Sequence, residues 1–165
     1  MQDDLIERAK IRSRIMAAVR QKDTGPEITL RRALHKSGLR YRLHEKTLPG
    51  TPDICFPKWR AVILVHGCFW HRHEGCKKAS LPKSNLLFWE SKFRRNVERD
   101  RKNVEDLLAA NWRVAIVWEC WLSHDFDDTK SNELVSFIRD SDRVREEWPN
   151  VVQCRASAYR HKPTT

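Results

Sequence analysis

A chain of 165 residues fits one globular domain and is long enough to bury a core without a disulfide scaffold. With 40% hydrophobic and 33% charged residues the composition fits a soluble globular protein, and the absence of an apolar run long enough to span a bilayer excludes a membrane-spanning helix. The net charge of +10 excludes little by itself. Together with a pI near 9.7, though, it sets the chain apart from ordinary metabolic enzymes and points to a polyanion held through phosphate contacts and counterion release. The bland alternative is a merely soluble basic protein. An anionic membrane surface is a weaker one, because no strongly amphipathic basic helix dominates. The opening MQDDLIERAK lacks the basic-then-apolar order of a signal peptide, so a reducing compartment is expected. There the five cysteines suggest thiols or a metal site rather than disulfides.

In chain order, residues 3–20 read as a helix carrying Ile6, Ile15, Met16 and Val19 among basic residues. Asp23 or Thr24 caps a second helix, Pro26 suits its first turn, and Gly38 stops it after Leu34 and His35. Residues 39–43 alternate as a strand would. LPGTPD is a loop, after which residues 53–56 enter a short strand that Pro57 turns. The apolar run at residues 60–66 predicts a central strand. HGCFWHRHEGC predicts an irregular loop rich in ligand-type residues. A long helix spans residues 85–110, with Phe93, Val97, Val104 and Leu108 as its apolar stripe and Lys92, Arg94, Arg95, Arg99, Arg101 and Lys102 on its other faces. Residues 112–118 form another strand, and a last helix covers residues 133–139. These elements predict an α/β fold, a small mixed sheet flanked by helices. The predicted organisation is an N-terminal arm at 1–24, a main domain at 25–148 and a loosely held tail at 149–165.

Cys68, His71, His73 and Cys76 crowd one loop, and Cys120 directly follows a strand. Tetrahedral Zn²⁺ takes thiolate and imidazole ligands, and a loop without a backbone ladder gains from such a staple. The C-x₄-H-x₂-C spacing lets the loop wrap the ion with Cys68, His73 and Cys76, while Cys120 supplies the fourth ligand. His71 is then left for another task. The bland alternative is buried thiols and surface histidines. Cys55, inside a short strand, reads as an ordinary buried thiol, and Cys154 has no evident partner.

A nuclease needs a carboxylate to hold Mg²⁺ against the scissile phosphate and a base for the attacking water. Asp53, after Pro52 at a loop-to-strand junction, can meet His66 and the following loop where two adjacent strands end. The common Pro-Asp…Glu-x-Lys pattern would place a Glu and a Lys on the second strand. ILVHGCFW has neither, so His66 and His71 would replace that chemistry. Among seven tryptophans, Trp112 and Trp118 read as core. Phe69 and Trp70 lie inside the candidate metal loop, and Phe88 and Trp89 open the basic helix. Phe69, Trp70 and Trp89 have two readings: wedges that unstack a base step, or rings that cover the metal and pack on the sheet.

Taken together, PGTPD, VILVHGCFWHRHEGC, FWESKFRRNVERDR and WRVAIVWEC closely resemble the very short patch repair (Vsr) DNA mismatch endonucleases over residues 16–122. The resemblance implies a restriction-endonuclease-like fold for the domain at 25–148, a structural Zn²⁺ on Cys68, His73, Cys76 and Cys120, and Mg²⁺-dependent nicking. The implied substrate is double-stranded DNA with a T:G mismatch from deaminated 5-methylcytosine, cut 5′ of the T to initiate very short patch repair. It further implies that Asp53 and the backbone carbonyl of Val65 hold Mg²⁺, and that His71 is the general base. His66 would assist at the phosphate, and Glu27 would orient a histidine or the metal's water. Phe69, Trp70 and Trp89 would wedge beside the mismatch, Lys92 and Asn96 would face the pair, and Met16 would approach from the minor groove. A monomer in the bacterial cytoplasm, associated with the nucleoid and without a membrane, is implied, with mismatch-repair proteins as partners. The competing expectations are a related nuclease of a restriction or defence system acting on unmismatched DNA, and a zinc-stapled DNA-binding module without catalysis. Asp53, His66 and His71 together argue against the last.

Overall fold

The computed structural model describes residues 22–123, 126–139 and 142–150, with Glu7 and Cys154 outside those ranges. Apart from Glu7, the predicted N-terminal helix, including Met16, lies outside the described residues. Five strands form one mixed sheet in the order β1 (Arg42–Leu43), β2 (Ile54–Phe56), β3 (Ala61–His66), β4 (Arg113–Trp118) and β5 (Arg145–Trp148). The first three strands are antiparallel neighbours; β3–β4 and β4–β5 run parallel. Parallel neighbours need a long return path. The 24-residue helix α3 (Leu86–Ala109) lies on the path from β3 to β4, while α4 (Glu119–Leu122) and α5 (Asp128–Arg139) lie between β4 and β5. Helix α1 (Gly25–Lys36) precedes the sheet, and α2 (Cys68–His71) is a single turn just past β3.

The apolar strand runs are explained by burial on both faces. Period-2 alternation sends Ile54, Phe56, Ala61, Ile63, Ala115 and Val117 to one side, where Leu30 and Leu34 of α1 and Leu134, Phe137 and Ile138 of α5 cover them. Cys55, Val62, Leu64, Val114, Ile116 and Trp118 face the other side, against Val104 and Leu107 of α3. Cys55 is indeed a buried thiol, which burial pushes up to about 11.

Local signals set most boundaries. Thr24 and Glu27 form a capping box at the start of α1, with Pro26 in the first turn. Gly38, at φ +80°, supplies the left-handed turn that ends it. Several expectations change, and one strand is new. The strand at residues 39–43 shrinks to Arg42–Leu43, and the loop after β3 contains the helical turn α2. Strand β5, Arg-Glu-Glu-Trp, carries no apolar alternation; it pairs through its backbone, and Trp148 alone packs deeply. On α3 the buried stripe is Trp89, Phe93, Val104 and Leu107, whereas Val97 is 43% exposed. Leu107→Ala should therefore cost about 2–5 kcal/mol in urea denaturation, while Val97→Ala should change stability by less than about 1 kcal/mol.

Candidate active site

Strands β3 and β4 end side by side, with His66 paired to Trp118, and the chemistry-bearing residues gather at this C-terminal edge. Asp53 immediately precedes β2, and one of its oxygens, Oδ2, accepts the backbone N–H of Val65 at 2.7 Å. That bond pins the carboxylate to the end of β3. Burial, opposed by the Val65 bond and reinforced by the charge of Glu27, pushes the Asp53 carboxyl up to about 6. A buried anion held short of full compensation is a natural seat for a cation.

Behind Asp53 stands a polar network that spacing alone did not reveal. Glu27 is 3% exposed and fully engaged: Oε1 accepts the Thr24 hydroxyl at 2.9 Å, and Oε2 accepts the Asp23 N–H at 3.1 Å and the Arg31 guanidinium at 2.6 Å. Arg31 also pairs with Asp23 and donates to Nε2 of His44 at 3.1 Å. A guanidinium has no acceptor, so His44 carries its proton on Nδ1, the nitrogen facing Asp53 Oδ1 at 3.9 Å. Asp23, Glu27 and His44 have metal-like spacing, but Arg31 already supplies the cation there. Glu27 thus reaches Asp53 through Arg31 and His44.

The turn α2 points its residues in different directions. His71 projects back over β3 and stacks on His66, with ring centroids 4.0 Å apart and planes 7° apart. Nδ1 of His71 donates to Oδ2 of Asp100 at 2.5 Å, which leaves Nε2 as the basic nitrogen. Burial disfavours the Asp100 carboxylate, but the His71 hydrogen bond, the fields of His71 and His66 and the Arg99 hydrogen bond outweigh it and hold the pKa below the ordinary value. Burial, then the proximity of His71, pushes His66 down to about 3, so it is neutral at physiological pH. Asp100 was missed in the sequence: it lies 29 residues from His71, inside a run of basic helix residues. The carboxylate-oriented histidine is an arrangement fit for general-base chemistry.

The residues predicted for zinc converge as a set, with the ligand-type atoms of Cys68, His73, Cys76 and Cys120 within 4.8 Å of one another. Nδ1 of His73 lies 3.7 Å from Sγ of Cys68 and 3.4 Å from Sγ of Cys120, and its ring stacks on Trp118 at 4.2 Å. Hydrogen bonding from Cys120 holds the Cys68 thiol well below its ordinary value. The donor role toward Cys68, then burial, pushes Cys120 up; burial, then the charge of Cys68, raises Cys76. The cluster cannot ionise fully by itself, and Nε2 of His73 is buried with no hydrogen-bond partner among the described residues. A divalent cation with tetrahedral preference fits this donor set and would supply the missing positive charge. Cys154, for which the sequence offered no partner, is also buried here, with Sγ 4.0 Å from His73 Nδ1.

On the outer side of α2, Phe69, Trp70, Trp89 and Phe93 form one aromatic cluster, joined by edge contacts of Phe69 with Trp70, Trp89 and Phe93 at 5.0–5.5 Å. Trp89 is 8% exposed, in line with the packing reading, whereas Phe69 and Trp70 are half-buried. Lys92 Nζ stands over the Trp70 ring at 5.3 Å, and Asn96 Nδ2 donates to the Trp70 carbonyl at 3.1 Å. Phe88 joins the cluster through Trp89, and it and its neighbours Leu86 and Leu87 are strongly exposed. Beyond them Arg94, Arg95, Arg99, Arg101 and Lys102 form an exposed basic face.

Comparison with known proteins agrees with this arrangement. The family model described as DNA mismatch endonuclease Vsr matches residues 3–78, a span that holds Glu27, Asp53, His66, His71 and the first three cluster ligands. A type II nicking enzyme of Xanthomonas oryzae pv. oryzae, V.XorIIP, is 53% identical over 109 residues, which is 66% of this chain and 79% of the relative. V.NmeAIP of Neisseria meningitidis, also named a type II nicking enzyme, is 40% identical over 79% of this chain and 93% of its own length. This chain belongs to the Vsr family. The DNA mismatch endonuclease Vsr of Escherichia coli is a further member, 43% identical over 67% of this chain and 70% of that protein. In this Vsr chain α3 and Cys120 lie beyond the family-model match, so their place at the site rests on the geometry above.

The raised carboxyl of Asp53 has a stability consequence. Its folded pKa of about 6 exceeds the unfolded value of 3.8, so the folded state binds the proton more tightly. The charge therefore destabilises the fold progressively as pH rises from about 4 to about 6, and fully above that, by an upper limit of about 3 kcal/mol. Asp53→Asn keeps an acceptor for the Val65 N–H and removes the charge. Thermal denaturation in Mg²⁺-free buffer should show the variant more stable than wild type at pH 7.5, with the gain vanishing near pH 4.

Proposed function

We propose that this chain is a Mg²⁺-dependent DNA mismatch endonuclease that nicks 5′ of the T in a T:G pair left by 5-methylcytosine deamination. The observation that carries the reading is the Asp100-oriented His71 at the same strand end that pins Asp53. Asp53, through the oxygen not taken by Val65, and the Val65 carbonyl would hold Mg²⁺. When bound, the ion would polarise the scissile phosphate and the attacking water. His71 Nε2 would accept the proton of that water, and Asp100 would stabilise the resulting imidazolium. Neutral His66, stacked beneath, would fix the ring plane and assist at the phosphate. Glu27 would act through Arg31 and His44 to set the orientation of Asp53.

Recognition would begin with the basic face of α3 on phosphates, which position the protein without reading sequence. Phe69 and Trp70 would form the leading edge of the wedge with Trp89 as the ring behind them. Lys92 and Asn96, which hold Trp70 on its face and its backbone, would be brought to the mismatched pair. A mismatched step is cheaper to unstack than a paired one, so a wedge favours it. Met16 on the N-terminal arm would complete the grip from the minor groove. We further infer a restriction-endonuclease-like fold stapled by Zn²⁺ on Cys68, His73, Cys76 and Cys120. The protein would act as a monomer in the cytoplasm, at the nucleoid, with mismatch-repair proteins as partners.

Incubation with Mg²⁺ and matched or T:G duplexes separates this reading from a nuclease that cuts unmismatched DNA. Asp53→Ala should abolish nicking and largely spare binding. His71→Ala and Asp100→Asn should each lower single-turnover nicking by about 10²-fold or more. Normal nicking by Asp53→Ala would sink the assignment.

Trp70→Ala should weaken binding to T:G duplexes more than to matched ones. Lys→Ala or Arg→Ala changes on the basic face should weaken both equally and flatten the salt dependence. Equal losses for both duplexes in a folded, zinc-loaded Trp70→Ala protein would return that ring to a packing role.

A further inference from the structure

Five potential ligands, not four, converge on the Cys/His cluster. Besides Cys68, Cys76 and Cys120, Cys154 is 7% exposed and reaches the cluster from the C-terminal segment, with its N–H donated to the Asn150 carbonyl at 3.0 Å. Nδ1 of His73 is the common neighbour, at 3.4 Å from Cys120, 3.7 Å from Cys68 and 4.0 Å from Cys154. A histidine that binds zinc ordinarily donates its second ring nitrogen to a carbonyl or carboxylate, which locks its orientation. The second nitrogen of His73 has no such partner among the described residues, although the residue is 2% exposed. Stacking on Trp118 fixes the ring plane but donates nothing to the metal bond. His73 is thus the weakly supported ligand, and a thiol, the softer donor, waits beside its coordinating atom.

We propose that Cys154 is a reserve ligand of the zinc centre that replaces His73 and thereby ties the C-terminal segment to the metal. The proposal rests on the zinc reading above. The exchange breaks one nitrogen–metal bond and makes one sulfur–metal bond. The thiol proton passes to the freed imidazole, so charge and atoms balance without an oxidant.

The test compares wild type, Cys154→Ser, His73→Ala and the double variant by zinc content and by affinity in chelator competition. Cys154→Ser alone should change affinity by less than about threefold. His73→Ala should retain one zinc with about tenfold weaker binding, and the double variant should fall by a further 100-fold or so. Cadmium NMR needs no destabilising change: the larger, softer ion should recruit the extra sulfur, so its resonance should differ between wild type and Cys154→Ser. An identical cadmium resonance in those two proteins overturns the proposal, as does a double variant no weaker than His73→Ala. Wild-type protein that holds zinc in either of those cases leaves the zinc reading intact. Wild-type protein without stoichiometric zinc overturns both.

Discussion

Cys68 and Cys120 leave the ends of two adjacent parallel strands, and His73 packs between them with its ring flat on Trp118. Helix α2 has one turn and could not hold its shape alone, since a helix of that length gains too few hydrogen bonds to offset its ordering. Anchoring at Cys68 on one side and at His73 on the other fixes it. Its intermediate residues then have fixed directions: His71 toward His66 and Asp100, Phe69 and Trp70 toward Trp89. The position of the Asp100-paired His71 and that of the aromatic edge both follow from the way the Cys/His cluster spans the two strand ends.

Helix α3 serves both halves of that arrangement. Its buried stripe closes the sheet through Val104 and Leu107, its first turns carry Trp89, Lys92 and Asn96 under the aromatic edge, and Asp100 lies midway, where it reaches His71. One helix of 24 residues thus fixes the distance between the partners of Trp70 and the carboxylate that holds His71.

Much of this was legible in the sequence, because certain residues have few other uses. Four of the five cysteines and histidines that meet at the cluster were identified from spacing, since a loop of ligand-type residues without turn or helix logic signals a metal. The central strands were legible from their length and unbroken apolar character. Asp100 was not, because an acidic residue among Arg99, Arg101 and Lys102 looks like ordinary helix-surface pairing. Strand β5 was not, because edge pairing is made by backbone and REEW has nothing to bury until Trp148. Cys154 was not, because only folding brings residue 154 to residue 73. Glu27 was assigned a role through resemblance, but its bond with Thr24 belongs to a capping box and its bond with Arg31 to an i,i+4 pair, two patterns that were on view.

The contact of Lys92 with Trp70 couples two properties that would otherwise be separate. While the ring rests under the ammonium group, part of the indole face is screened from other molecules, and the lysine's charge is partly spent inside the protein. Any movement that lifts the indole away from Lys92 would therefore free a face of the ring and a full ammonium charge at the same place and time.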